Sequence, residues 1–148
     1  MKSHETVVKI YDTANDALLK FAVIISKTNG KWVLCKHKER DTYEVPGGHR
    51  EKSENILDTA KRELREETGA VDYTIRPVCV YSVKGTTRSD ETINDETYGM
   101  LYIAEIYSFE KTNSEIERII ITDKLADNWT YPLIQPALIK EAQKRGFI

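Results

Sequence analysis

Residues Leu18 to Ile25 (LLKFAVII) and Lys31 to Cys35 (KWVLC) form two apolar, β-branched runs separated by a short polar link that contains Asn29-Gly30. That pair is well suited to the positive φ angles of a tight turn, so the spacing predicts an antiparallel hairpin. Neither run alternates polar with apolar residues, as a strand with one wet face would. A hairpin of near-continuous apolar character has to be covered on both sides, which requires layers above and below the sheet. Helices are the natural cover.

Two later segments supply further strands, Tyr73 to Val83 and Tyr98 to Tyr107, and a shorter apolar run spans Ile116 to Thr122. The polar stretch Gly85 to Thr97 between the first two reads as a solvated loop, with a mobile lid or a ligand-supplying loop as the alternative. The chain closes on Pro136 to Arg145 (PALIKEAQKR), where Pro136 suits a first helical position and Gly146 a C-terminal stop. The order is β-rich with one helix in the middle and one near the end, an α+β pattern. With 148 residues, 40% of them hydrophobic, the expectation is a single domain over 1–148. Lys plus Arg (22) nearly balance Asp plus Glu (24), so no overall field draws the chain to nucleic acid or to an anionic membrane. No run is long enough to span a bilayer and the N-terminus lacks a signal-peptide core, so a cytoplasmic location is expected. Cys35 and Cys79 sit in apolar runs without CxxC spacing and read as buried free thiols.

The chemistry concentrates in Gly47 to Ala70, GGHREKSENILDTAKRELREETGA. Ser53 is a candidate N-cap and Gly69 a left-handed stop, which predicts a helix over about 54–68. On that helix Ile56, Leu57, Ala60 and Leu64 form an apolar stripe, Glu63, Glu66 and Glu67 cluster along its edge, and Glu67 overlaps it. Exposed i,i+4 pairs explain the row Asp58, Arg62, Glu66. They do not explain Glu63 and Glu67, like charges on the core side, where a carboxylate must be paired, protonated or bound to a metal. A divalent cation relieves both problems. Hard oxygen donors suit Mg²⁺ or Mn²⁺, and without a nearby Cys or His constellation zinc is disfavoured.

Gly48, Glu54, Arg62, Glu63, Leu64, Glu66, Glu67, Gly69 and Ala70 match, position by position, the signature of the Nudix hydrolases, which this stretch therefore resembles. Val45-Pro46-Gly47-Gly48 is similar to the approach found in MutT-like members. The resemblance implies an α/β/α sandwich around a mixed central sheet, and hydrolysis of a phosphoanhydride in a nucleoside diphosphate linked to another group. It implies that Glu63, Glu66 and Glu67, with the Gly47 carbonyl, hold Mg²⁺ or Mn²⁺, and that Arg62 orients the glutamates. Glu63 is the first choice of general base; Glu115, Glu117, Asp95 and Glu96 are candidates for an extra carboxylate, each also readable as a solvated charge.

The rest of the substrate is less constrained. Tyr43 and Trp129 could stack on a base or belong to the core, and Arg40 could meet phosphates or solvent. ADP-ribose members carry a proline well downstream of the box, whereas Pro77 follows Gly69 by only eight positions, and Gly85 to Thr87 lacks the tyrosine typical of dinucleoside-polyphosphate members. The chain looks most like MutT-type enzymes that convert a nucleoside triphosphate, including oxidised guanine nucleotides, to a monophosphate and pyrophosphate. Alternatives on the same scaffold are an RNA 5′-pyrophosphohydrolase, an isopentenyl diphosphate isomerase and a noncatalytic nucleotide-sensing domain. A small-molecule nucleotide is the expected partner, with no membrane and no stable nucleic-acid partner, and self-association is left open.

Overall fold

The computed structural model describes residues 6–85, 96–111 and 116–148; the side chains of 116–118 are not among those described. The elements run β1 (Val7–Tyr11), a 3-10 turn (Asp16–Leu18), β2 (Leu19–Thr28), β3 (Lys31–His37), β4 (Gly47–His49), α1 (Ile56–Thr68), β5 (Ala70–Lys84), β6 (Thr97–Phe109), β7 (Ile116–Thr122) and α2 (Gln135–Lys144).

The anticipated hairpin is present. Asn29 (φ 49°) and Gly30 (φ 77°) both take left-handed angles and join β2 to β3 in register Ser26↔Val33 to Thr28↔Lys31. Around it the sheet runs β1-β5-β6-β2-β3-β7, antiparallel throughout except between β2 and β6, which are parallel. The parallel pairing makes the sheet mixed. It also sets β2 inside the sheet, with neighbours along both edges, and layers on both faces account for its near-continuous apolar character.

One break in this sheet positions the site. β2 pairs with β3 only over its last residues, whereas its first half pairs with β4, Phe21↔His49 to Val23↔Gly47. Between the two, the 43–46 segment enters as a wedge: the Ile24 N–H donates to the Pro46 carbonyl at 2.8 Å, and Cys35 and Glu44 exchange backbone hydrogen bonds at 2.8 and 3.0 Å. Gly47 permits the close approach, because a Cβ there would lie 2.6 Å from the Ala22 carbonyl oxygen.

Successive residues of β2 feed opposite layers. Ala22 and Ile24 join Val33, Tyr102, Ala104 and Ile106 under the α1 residues Ile56, Ala60 and Leu64. Val23 and Ile25 join Leu34, Val45, Tyr81, Leu101 and Ile103 under the α2 residues Leu138, Ile139 and Ala142. This is the α/β/α sandwich, and it removes the apolar face of each helix from water at roughly 25 cal/mol per Å². Pro136 lies in the first turn of α2, and Gly146 (φ 83°) closes it: its N–H reaches the Gln143 carbonyl at 3.0 Å and that of Phe147 reaches Ala142 at 2.9 Å.

Three local expectations are corrected. Ser53 is not the N-cap; it turns the chain at φ 74°, and Asn55 caps α1 in a reciprocal box with Asp58. Asp58 is thus committed to the cap rather than to Arg62. Leu57 is 37% exposed, and the buried stripe is instead Ile56, Thr59, Ala60, Leu64, Glu67 and Thr68. β1, missed in the polar N-terminal region, pairs with β5 from Val7↔Lys84 to Tyr11↔Val80. The two thiols, Cys35 and Cys79, are buried and free, as expected.

Candidate active site

The loop leading into α1 is fastened before the helix begins. Arg50 donates from Nε to the Glu54 carbonyl (2.7 Å) and from its terminal nitrogens to Asp16 and the Leu19 carbonyl, while Asp16 Oδ1 accepts the Ile56 N–H (3.2 Å). Glu54 therefore has a fixed position from which to meet the helix. Arg62, two turns along α1, grips it with a fork, Nε to Oε2 at 2.6 Å and Nη2 to Oε1 at 3.1 Å. The same guanidinium donates to Glu63 Oε2 (3.1 Å), Glu66 Oε1 (3.2 Å) and the His49 carbonyl (3.0 Å). One planar cation thus ties the entry loop, β4 and two box glutamates together, a task a lysine point charge could not do.

Glu63 lies flat against β4. A Cβ on Gly48 would overlap its carboxylate, so the glycine is required by close approach rather than by backbone angle. Glu67, one turn on, is buried at 8% exposure and accepts the Gly47 N–H on Oε1 at 2.9 Å. Its Oε2 faces His37 Nε2 at 3.6 Å, and His37 Nε2 in turn stands 3.4 Å from Oε2 of Glu44, itself 5% exposed. Arg40 donates to the remaining Glu44 oxygen, Oε1, at 3.3 Å.

Burial pushes the Glu67 carboxyl up to about 8, against the pull of the Gly47 N–H and with further push from Glu63, Glu44 and Glu66. Glu63 is also raised, first by burial, with Arg62 opposing. Glu54 goes the other way, held at about 2 chiefly by its hydrogen bond from Arg62 and further by the Glu51 N–H and the Thr59 hydroxyl. The site therefore has a satisfied half, Glu54 and Arg62, and a frustrated half, Glu63 and Glu67, where negative charge is costly. Hard carboxylate donors short of positive charge, beside a strand stripped of side chains at Gly48, fit a divalent cation.

Next to the carboxylates is a cleft of about 290 Å³. Phe21, Val23, Tyr81, Val83 and Ile134 give it apolar walls, Gln135 and Tyr131 add polar groups, and Gly47, Gly48 and Glu44 form the end nearest the glutamates. Gln135 also accepts the Val45 N–H at 2.9 Å, fixing the wedge from the α2 side.

The structure gathers Arg62, Glu63, Glu66, Glu67 and Gly47 into one constellation. It places Arg40 beside Glu44, with Tyr131 as the main partner raising its pKa. Tyr43 and Trp129 pair through their backbones and pack against the α2-side core, and neither lines the cleft. Glu96 accepts from the hydroxyls of Tyr11 and Ser82 at the start of β6 and is held below the usual range first by Ser82. Asp95 and Glu115 lie outside the described residues, and Glu117 falls on β7 with its side chain outside them. Sequence reasoning missed His37, Glu44 and the cleft. The one signal for Glu44 was a carboxylate between Tyr43 and Val45, flanked by residues that belong inside.

Residues 18–131 match the family pattern described as the NUDIX domain. A Bacillus subtilis (strain 168) protein named as an 8-oxo-dGTP diphosphatase, YtkD, is 35% identical over 92 residues, which are 62% of this chain and 53% of that protein; the match thus spans about half of the relative. Among solved structures, the Bacillus subtilis pyrophosphohydrolase BsRppH is similar with a TM-score of 0.77 and 23% identity, covering 97% of this chain and 94% of that one. The NUDIX domain of Shewanella oneidensis NrtR, solved with ADP ribose, is similar with a TM-score of 0.64 and 17% identity over 86% and 87% of the two chains. At these identities the structural likeness speaks for the fold.

Proposed function

Given that this chain belongs to the Nudix family of hydrolases, we propose that it cleaves the phosphoanhydride of a nucleoside triphosphate, including oxidised guanine nucleotides, releasing a monophosphate and pyrophosphate. The observation that carries this reading is a shared boundary: Gly47 and Gly48 both close the apolar cleft and back the carboxylates of Glu67 and Glu63. A base seated between Phe21, Tyr81 and Ile134 would direct its phosphates along that boundary. The name carried by the 35% identical relative points to the same substrate class.

Glu63, Glu66 and Glu67, with the Gly47 carbonyl, would hold Mg²⁺ or Mn²⁺. Such ions neutralise phosphate oxygens and acidify a coordinated water. Arg62 acts as a positioning residue, keeping Glu63 and Glu66 turned toward one point while its fork to Glu54 anchors the loop. Glu63, raised by burial with Arg62 opposing, is the proposed general base.

A second reading, a 5′-triphosphate RNA, is favoured by an open groove of about 770 Å³ that meets the cleft at His49 and is lined by Lys20, Arg50 and Lys52 together with Glu51, Glu54 and Asp58. Incubation with Mg²⁺ or Mn²⁺ and a panel of nucleoside triphosphates, oxidised guanine nucleotides, ADP-ribose and 5′-triphosphate RNA separates the two. Preferential pyrophosphate release from free triphosphates supports the first reading. Turnover confined to RNA selects the second, and turnover of neither class refutes both.

A further inference from the structure

Two carboxylates and an imidazole from three distant parts of the chain face one point where the sheet splits. His37 closes β3, Glu44 lies on the wedge and Glu67 on α1. One ligand atom from each lies within 4.8 Å of the others. The separations from His37 Nε2, 3.4 Å to Glu44 and 3.6 Å to Glu67, are within ion-pair range but longer than an ordinary hydrogen bond. They are the separations expected of ligands about 2.0–2.2 Å from a shared cation at a near-tetrahedral angle. Each carboxylate also commits its other oxygen to a protein donor, Glu44 Oε1 to Arg40 and Glu67 Oε1 to the Gly47 N–H, which aims both Oε2 atoms inward. Outer contacts of that kind orient metal ligands.

We propose that His37, Glu44 and Glu67 form a nitrogen–oxygen cation site that takes a first-row transition-metal ion such as Mn²⁺ or Zn²⁺ in preference to Mg²⁺. The preference follows from ligand chemistry. Imidazole nitrogen suits the borderline transition metals, whereas Mg²⁺ keeps an octahedral oxygen shell and dehydrates reluctantly. The sequence alone argued only against zinc, for want of a nearby Cys or His constellation; the fold brings His37 to Glu44 and Glu67 from the end of β3. This inference rests on the hydrolase reading only in that Glu67 is common to both, and it places a second kind of ligand beside the oxygen-only set.

The test uses the full chain without nucleotide. Mn²⁺ binding is followed by electron paramagnetic resonance, and pulsed measurements look for ¹⁴N modulation from a coordinated imidazole. The expected result is modulation in the wild type that changes to the ¹⁵N pattern on histidine labelling, disappears in His37→Gln and persists in His49→Gln. Mn²⁺ affinity should fall by roughly tenfold or more in His37→Gln and in Glu44→Gln, and Zn²⁺ should displace Mn²⁺ at lower concentration than Mg²⁺ does. Oxygen-only coupling in the wild type overturns the proposal, as does modulation that survives His37→Gln. The labelled wild type decides the matter should a variant fail to fold. Pyrophosphate release in Mg²⁺, measured separately, tests the hydrolase reading: turnover without nitrogen coupling removes this site alone, and nitrogen coupling without turnover removes the assigned activity alone.

Discussion

Replacing Glu67 with glutamine in cation-free protein gives the sharpest account of why the box glutamates are crowded. The Glu67 carboxyl moves from an ordinary value of 4.5 to about 8 on folding. Facing it are Glu63 and Glu66 on its own helix, Glu44 on the wedge, His37 at the end of β3 and the Gly47 N–H. The folded protein thus holds this proton longer than the unfolded chain does, so stability falls as pH rises from about 4.5 to about 8 and is level above that. At 1.36 kcal/mol per pH unit the full window is worth roughly 5 kcal/mol, which relaxation and water penetration reduce to about 2–4 kcal/mol. Glutamine never ionises and still offers an oxygen to the Gly47 N–H. Thermal unfolding in EDTA should therefore show Glu67→Gln and wild type close together at pH 4.5 and separated by about 5–15 °C at pH 9, with the variant more stable, at about 2–4 °C per kcal/mol for a chain of this size. Added Mn²⁺ should narrow or invert the gap by stabilising the wild type. A gap that does not change with pH, or a wild type more stable than the variant at pH 9 in EDTA, would refute the reasoning.

Other perturbations divide the positioning groups from the scaffold. In Gly48→Ala the atoms nearest the new methyl all belong to the end of the Glu63 side chain, so the melting temperature should hold within about 3 °C while metal-dependent turnover drops by roughly tenfold or more. Gly69→Ala meets the Glu110 backbone instead, at a position with φ 79°, and should lose about 1–3 kcal/mol in urea unfolding. Arg62→Lys keeps the charge but removes the fork, so carboxyl ¹³C titration should find Glu54 rising from about 2 toward its ordinary 4.5. The acid limb supplied by that pair would then move up in pH, since a depressed carboxylate stabilises only while it stays ionised. Gln135→Leu strands the Val45 N–H and should cost about 1–3 kcal/mol, read by the urea midpoint.

What the sequence determined by itself was local. Asn29 and Gly30 make the turn, Gly69 stops α1 and Pro136 with Gly146 bounds α2, because each depends on a residue's own φ preference or on partners within a turn of helix. The conflict between Glu63 and Glu67 was also legible, since helical geometry alone puts both on the core side. Even at this range, competition between near neighbours was not: Asn55 displaced Ser53 as the cap, and Leu57 fell outside the buried stripe. Only the tertiary structure decided that β2 lies parallel to β6 and parts from β3 to admit the 43–46 wedge. That split brings His37 and Glu44 to Glu67 and opens the cleft beside Gly47 and Gly48. Periodicity fixes which face of a strand or helix is buried, but strand order and register across the sheet are set by which apolar surfaces find one another, and no spacing along the chain encodes that choice.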